Sequence, residues 1–273
     1  MGALTPLPRN PMDQFISIVA AAIASAFAID LIVAFRRRPR PHTAAYAAGI
    51  SMFALASCAL AYGLTAGWTG TSYRAFYLLG AIINIPFLAL GSMYLVVGKR
   101  AGTVMFIACG AIAAISTTLT TTVPFARPLP DVGIPHEIFP PISEGFGPRL
   151  LAAIAGGMGA AILILLAMVS LIRFWNKNRR VVWGNGLIVA GTLSAAWGGT
   201  GLAIGEGAAF AVSLLLAAGL IWAGYRTAAG ARAPIPSSAE GQQNHTESDH
   251  HRGQKSEPAD PLVQEPPPEQ GRK

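Results

Sequence analysis

QFISIVAAAIASAFAIDLIVAFRRRPR, residues 14–40, decides the fold. Residues 14–35 are predominantly apolar and hold a single ionisable group, Asp30; four arginines, Arg36, Arg37, Arg38 and Arg40, close the stretch. A helix rises about 1.5 Å per residue, so a hydrocarbon core of about 30 Å takes about 20 such residues. The stretch therefore reads as a membrane-spanning helix with a basic stop. A secretory signal would carry its bases before a shorter apolar region. The reversed order here predicts an anchor that stays in place.

The pattern recurs along the chain. Apolar runs fall at about 14–35, 43–66, 75–98, 103–123, 150–172, 181–204 and 207–225, each bounded by bases, prolines or glycines. The expected architecture is an all-α polytopic transmembrane helical bundle of seven spans over residues 14–232. Composition agrees: of 273 residues, 52% are hydrophobic and 12% charged. A soluble domain carries about 25% charged residues, so a water-facing surface cannot be built from this chain.

The bases set the threading. Twelve of them (Arg36, Arg37, Arg38, Arg40, Lys99, Arg100, Arg173, Lys177, Arg179, Arg180, Arg226 and Arg232) fall on one side of a seven-span bundle, against Arg9, Arg74, Arg127 and Arg149 on the other. Short loops rich in Lys and Arg stay in the cytoplasm. The amino-terminal segment 1–13 is thus expected outside and the carboxyl terminus inside, in the cytoplasmic membrane of a bacterium. Residues 233–273 are a different material, expected to form a disordered cytoplasmic tail with no aromatic side chain and a run of prolines near its end. Over 237–273 the tail has four bases and seven acids, net −3, so the chain's +7 becomes +10 for the remainder. The basicity records membrane insertion. It does not form the basic, aromatic-interleaved stripe of a nucleic-acid interface.

Ionisable and polar groups inside the membrane are costly and mark candidate sites. Asp30 either pairs with a neighbouring loop base or faces the bundle interior as a proton or cation site. Asn84 and Pro86 lie mid-span, where the proline removes a backbone hydrogen bond; a kink with Asn84 as interhelical glue and a broken helix lining a pocket are the two readings. Ser116, Thr117, Thr118, Thr120, Thr121 and Thr122 either bond back to helix carbonyls or line a polar vestibule. Small residues at four-residue spacing, Ala152, Gly156 and Ala160, and the glycines 198, 199, 201 and 205, are expected to pack helices closely, with a homo-oligomer contact as the alternative.

The external loop 124–149 has seven prolines and the apolar residues Phe125, Ile134, Ile138, Phe139, Ile142 and Phe146, content suited to a cap on the bundle mouth. Its charged residues Arg127, Asp131, His136, Glu137 and Glu144 form a candidate external site. They lack metal-ligand spacing, so no metal is assigned. His245, His250 and His251 in the tail read as solvated. Cys58 and Cys109 read as packed small hydrophobes. No catalytic constellation is present, the spans hold no histidine for haem, and the seventh holds no lysine for a retinal Schiff base, so no cofactor is implied.

Phe35-Arg36-Arg37-Arg38, the run Ala59-Leu60-Ala61-Tyr62-Gly63-Leu64, then Arg74-Ala75-Phe76-Tyr77-Leu78-Leu79 and Pro86 resemble the seven-helix sensor modules at the front of some bacterial histidine kinases. The whole chain is similar to uncharacterised seven-span membrane proteins of high-GC Gram-positive bacteria; beyond residues 30–98 the likeness is one of topology. A short polar tail stands where a kinase or cyclase domain would follow, so signalling is expected to pass through a protein partner that the tail contacts. A non-enzymatic sensor or interaction protein is the leading expectation. A small transporter or accessory transport subunit using Asp30, Asn84 and Pro86 is second, and a lipid-modifying membrane enzyme third.

Reporter fusions check the threading. A reporter active only outside the cytoplasm is expected to be silent after Arg100 and Arg226 and active after Arg149; activity after Arg226 overturns the seven-span topology.

Overall fold

Proline and glycine set where the helices begin and end. α1 (Pro11–Arg37) stops at the arginine cluster, and α2 (Pro41–Ala66) starts on Pro41, whose missing N–H falls where no helical partner exists. Gly67, at φ 98°, ends α2, and Thr69 with Ser72 opens α3 (Gly70–Val96) through a reciprocal capping box. Gly98, at φ 120°, makes the turn into α4 (Lys99–Thr122), a conformation that L side chains rarely adopt. α5 (Pro148–Arg173) again starts on a proline, followed by α6 (Arg179–Ala203) and α7 (Gly207–Gly230).

The computed structural model describes residues 11–131, 133–175, 179–203 and 207–230, and among these the chain is all-helical, with no strand. Residues 1–10 and the acidic tail, including its histidines, lie outside the described residues. Six helices are long and apolar enough to cross a membrane: α1 to α5, and α7 over Ala209–Ala228. α6 has the length, 25 residues, but six glycines with Asn185, Thr192 and Ser194 dilute its apolar run. Large apolar side chains stand on the outer surface, Val104 at 71% and Ile107 at 67% exposed among them. Such a belt is unfavourable in water at about 25 cal/mol per Å² and neutral against acyl chains. The chain is a membrane-embedded helical bundle.

Six helices close a ring in the order α1, α2, α3, α5, α6, α7 and back to α1, while α4 packs outside it against α3. α4 is seated by Gly102, where a Cβ would collide with the Tyr94 ring, and by Cys109, whose thiol donates to the Pro86 carbonyl at 3.6 Å. α1 and α7 close the ring through Phe27, stacked on Trp222 with centroids 6.1 Å apart.

The most extensive helix pairing is between α6 and α7. Glycines seven residues apart, Gly184, Gly191 and Gly198, form its seam. A Cβ on Gly184 would come 2.7 Å from the Gly224 carbonyl oxygen, and one on Gly224 would come 2.6 Å from that of Gly184. A Cβ on Gly191 would meet Ile221 Cγ1 at 2.7 Å, and one on Gly198 would collide with Ser213. The backbones therefore approach as small-residue membrane interfaces do, and the three contacts fix one antiparallel register. The crowded glycines at the end of α6 include this seam's last member, Gly198; its other two carry the seven-residue period.

Gly191→Leu is expected to overpack this seam and cost about 1–3 kcal/mol, lowering the thermal midpoint in detergent. Gly186→Leu, whose Cβ meets nothing within 4 Å, is expected to stay within about 0.5 kcal/mol of the parent.

Candidate functional site

The loop between α4 and α5 is docked on one end of the ring. Ile134, Ile138 and Phe139 are buried in a cluster with Leu60, Leu64, Tyr73, Phe76, Phe210 and Leu214. The Phe139 ring lies 5.0 Å from Tyr77, 5.4 Å from Phe125 and 5.6 Å from Tyr73. Trp68 Nε1 donates to the Gly133 carbonyl at 2.8 Å, and the Ala126 amide donates to Ile138 across the loop at 2.8 Å. Where the loop leaves α4, the Arg74 guanidinium donates to the Thr120 and Val123 carbonyls and sits 4.4 Å over the Phe125 ring. A cation there satisfies end-of-helix carbonyls and complements the helix dipole.

Glu137 stands at the inner edge of the cap. One carboxylate oxygen accepts from Arg127 at 3.1 Å and the other from Arg149 at 3.4 Å. Its φ of 54° is left-handed, a conformation costing about 1–2 kcal/mol outside glycine. Exposed ion pairs return about 0–1 kcal/mol each, whereas burying a side chain such as Phe139 contributes about 1.5–3 kcal/mol. Apolar docking holds the cap down; the ion pairs set where Glu137 points.

Beneath the cap the ring encloses a cavity of about 610 Å³. On α3, residues 73, 77, 80, 84 and 88 line it, the spacing of a single helix face. Pro86 lacks the N–H that would bond the Ile82 carbonyl, and the helix just before it, Tyr77–Ile83, is wound wide as a π-helix. A second π-helical stretch, Ala152–Gly156 in α5, lies opposite. A Cβ on Gly156 would be 3.2 Å from the Ala81 oxygen, and one on Gly159 would be 3.0 Å from the Pro86 nitrogen. Such segments recur at functional sites, and here both contribute to the cavity wall.

α5 and α6 are joined at the basic end by the Asn185 amide donating to Ser170 Oγ at 2.9 Å. Nearer the cap, Ala153, Gly157, Ala196 and Gly199 line the cavity and are exposed. Polar groups inside divide into spent and unspent. Ser57 and Thr192 donate to the carbonyls of Phe53 and Ile188, 2.9 and 2.8 Å away. Asn84, 4% exposed, accepts the Ile85 N–H through Oδ1 at 2.7 Å, rather than donating to carbonyls freed by Pro86. Its Nδ2 and the hydroxyls of Tyr73 and Tyr77 have no hydrogen-bond partner among the described residues.

The candidate residues from the sequence thus separate. Asn84, His136 and Glu137 line the cavity. Pro86 stands behind it, and Arg127 braces Glu137 from the exposed side. Asp131 and Glu144 are exposed on the cap. Asp30 lies outside, in an open groove between α1 and α7, accepting from Arg226 at 3.2 Å and from Trp222 Nε1 at 3.2 Å. Thr117, Thr118, Thr121 and Thr122 bond back to carbonyls four residues earlier. Among the described residues no group of three His, Cys, Asp or Glu side chains could hold a metal. Sequence reasoning missed Tyr73, Tyr77 and Arg149; the i, i+4 tyrosine pair ahead of Asn84 on one helix face was the available signal.

Comparison of the chain with protein-family models, curated proteins and solved structures gives no match.

Phe139→Ala is expected to cost about 3–5 kcal/mol of packing and to release the cap. Limited proteolysis with a broad-specificity protease should then cut within residues 124–147 much faster than in the parent, while Glu137→Gln leaves the cutting rate near the parent's.

Proposed function

We propose that this is a non-enzymatic sensor: a seven-span protein of the bacterial cytoplasmic membrane, amino terminus outside and carboxyl terminus inside, that holds a bilayer-soluble small molecule under its external cap. One observation carries the reading, an apolar cavity of about 610 Å³ beneath a docked loop, with exposed alanines and glycines of α5 and α6 in its wall. Its size falls in the range of small-molecule sites, about 300–1,000 Å³. α6 serves as the remaining span: three of its glycines, Gly184, Gly191 and Gly198, are spent on the close approach of α7, while Trp183, Leu193 and Trp197 keep an apolar outer face towards lipid. The likeness of residues 35–98 to sensor modules points the same way, and a protein partner reached through residues 233–273 would carry the signal onward.

Transport draws less support, because Asp30 is paired with Arg226 in the outer groove, away from Asn84 and Pro86. The lipid-modifying enzyme reading rests on loop carboxylates, and the one that lines the cavity, Glu137, has both oxygens engaged by arginines.

A Cβ on Gly157 or Gly199 meets nothing within 4 Å, and both glycines line the cavity. The parent protein in nanodiscs is expected to bind a neutral naphthylamine fluorophore saturably. Gly157→Phe and Gly199→Phe should weaken that binding by about tenfold or more, the equivalent of about 1.4 kcal/mol, with thermal midpoints retained. Non-saturable binding by the parent, or equal binding by both variants, contradicts the proposal.

A further inference from the structure

We infer, resting on the cavity-binding reading above, that the ligand is a single-chain amphiphile with an anionic oxygen head, held by Arg149 with Tyr73 and Tyr77 while its chain runs down α3 past Asn84. Four observations meet on this. The cavity is long: its lining on α3 runs from Tyr73 to Leu88, fifteen residues or about 22 Å of helix rise. Its charged side chains gather at the cap end, leaving Asn84 as the unspent polar group further down an apolar wall.

The charge at that end is positive. Arg127 and Arg149 flank the single carboxylate of Glu137, so the trio carries one net positive charge and a cationic ligand finds no free acid there. Arg149 commits only Nη2, at 3.4 Å, out of five guanidinium donors suited to a two-oxygen acceptor. Tyr73 supplies the independent sign of a ligand. It is 1% exposed and lines the cavity, yet its hydroxyl has no partner among the described residues. An unpaired donor facing the cavity gains a partner when a ligand oxygen lies beside Arg149.

The cavity wall on α5 and α6 is built of alanine and glycine, with Trp197 exposed on α6; a thin wall of small residues facing the bilayer is the path such a molecule would take, without crossing water.

The test uses the full chain in nanodiscs and competition against the neutral fluorophore, with competitor given as mole fraction of lipid. Straight-chain acids from octanoate to stearate are expected to compete about equally on this lipid scale, because chamber and acyl chains are alike apolar, and to fall off once the chain outgrows the cavity. The best acid should outcompete its methyl ester by at least about tenfold. An alkyl phosphate of equal length separates the two head chemistries: whichever of acid and phosphate binds tighter names the natural head. Arg149→Gln should abolish the acid-over-ester preference, whereas Arg127→Gln, which also unpairs Glu137, should keep it. Equal binding of acid, phosphate and ester overturns the anionic-head inference and leaves the cavity reading intact. Absence of saturable fluorophore binding in the parent overturns both.

Discussion

In hydrocarbon every backbone N–H and C=O must find a partner inside the protein, and Pro86 breaks that rule in the middle of α3. Much of the bundle is arranged around the break. The preceding turns are wound wide, Asn84 takes the Ile85 N–H, and Cys109 on α4 donates to the Pro86 carbonyl. α5 answers with its own widened stretch and with glycines that bring its backbone against Ala81 and Pro86. A helix pair so distorted cannot pack evenly against α6 and α7, which are locked together along their own glycine seam. The space left over is the cavity.

The cap converts that space into a site. Ile134, Ile138 and Phe139 are spent on the mouth of the ring, completing an aromatic cluster that α2, α3 and α7 begin, while Ile142 and Phe146 stay exposed. This places Glu137 and Arg149 at the rim of an otherwise apolar chamber, with Glu137 held in a backbone conformation that its packing, not its preference, dictates. The proposed binding and the docking of the cap share the same tyrosines. A molecule that changes the Tyr73 and Tyr77 environment therefore bears directly on how the cap sits, which is the physical link a sensor requires.

The helices were legible because membrane spans are read from a one-dimensional quantity, the length of an apolar run, and proline and glycine mark the ends. The neighbours were not. Asp30 and Arg226 are separated by nearly the whole membrane part of the chain, so the closure of α1 on α7 has no local signature, and nothing in residues 99–122 announces that α4 sits outside the ring. α6 was read as apolar although its glycines and polar residues place it below the other six helices. At the site, Asn84, His136 and Glu137 stood out as polar groups in apolar surroundings. Tyr73 and Tyr77 drew no functional reading and Arg149 counted only as a base on the outer side, because their shared cavity exists only once the cap has folded back.

The central claim is that the ring holds a chamber which a lipid-like molecule occupies. An experimental density map of the protein purified with its native lipids tests this most directly. The expected result is elongated density between Tyr77 and Asn84, beneath a docked cap, with α5 and α6 parted beside Gly157 and Gly199. A map in which α5 and α6 close on each other and side chains fill the ring would contradict it.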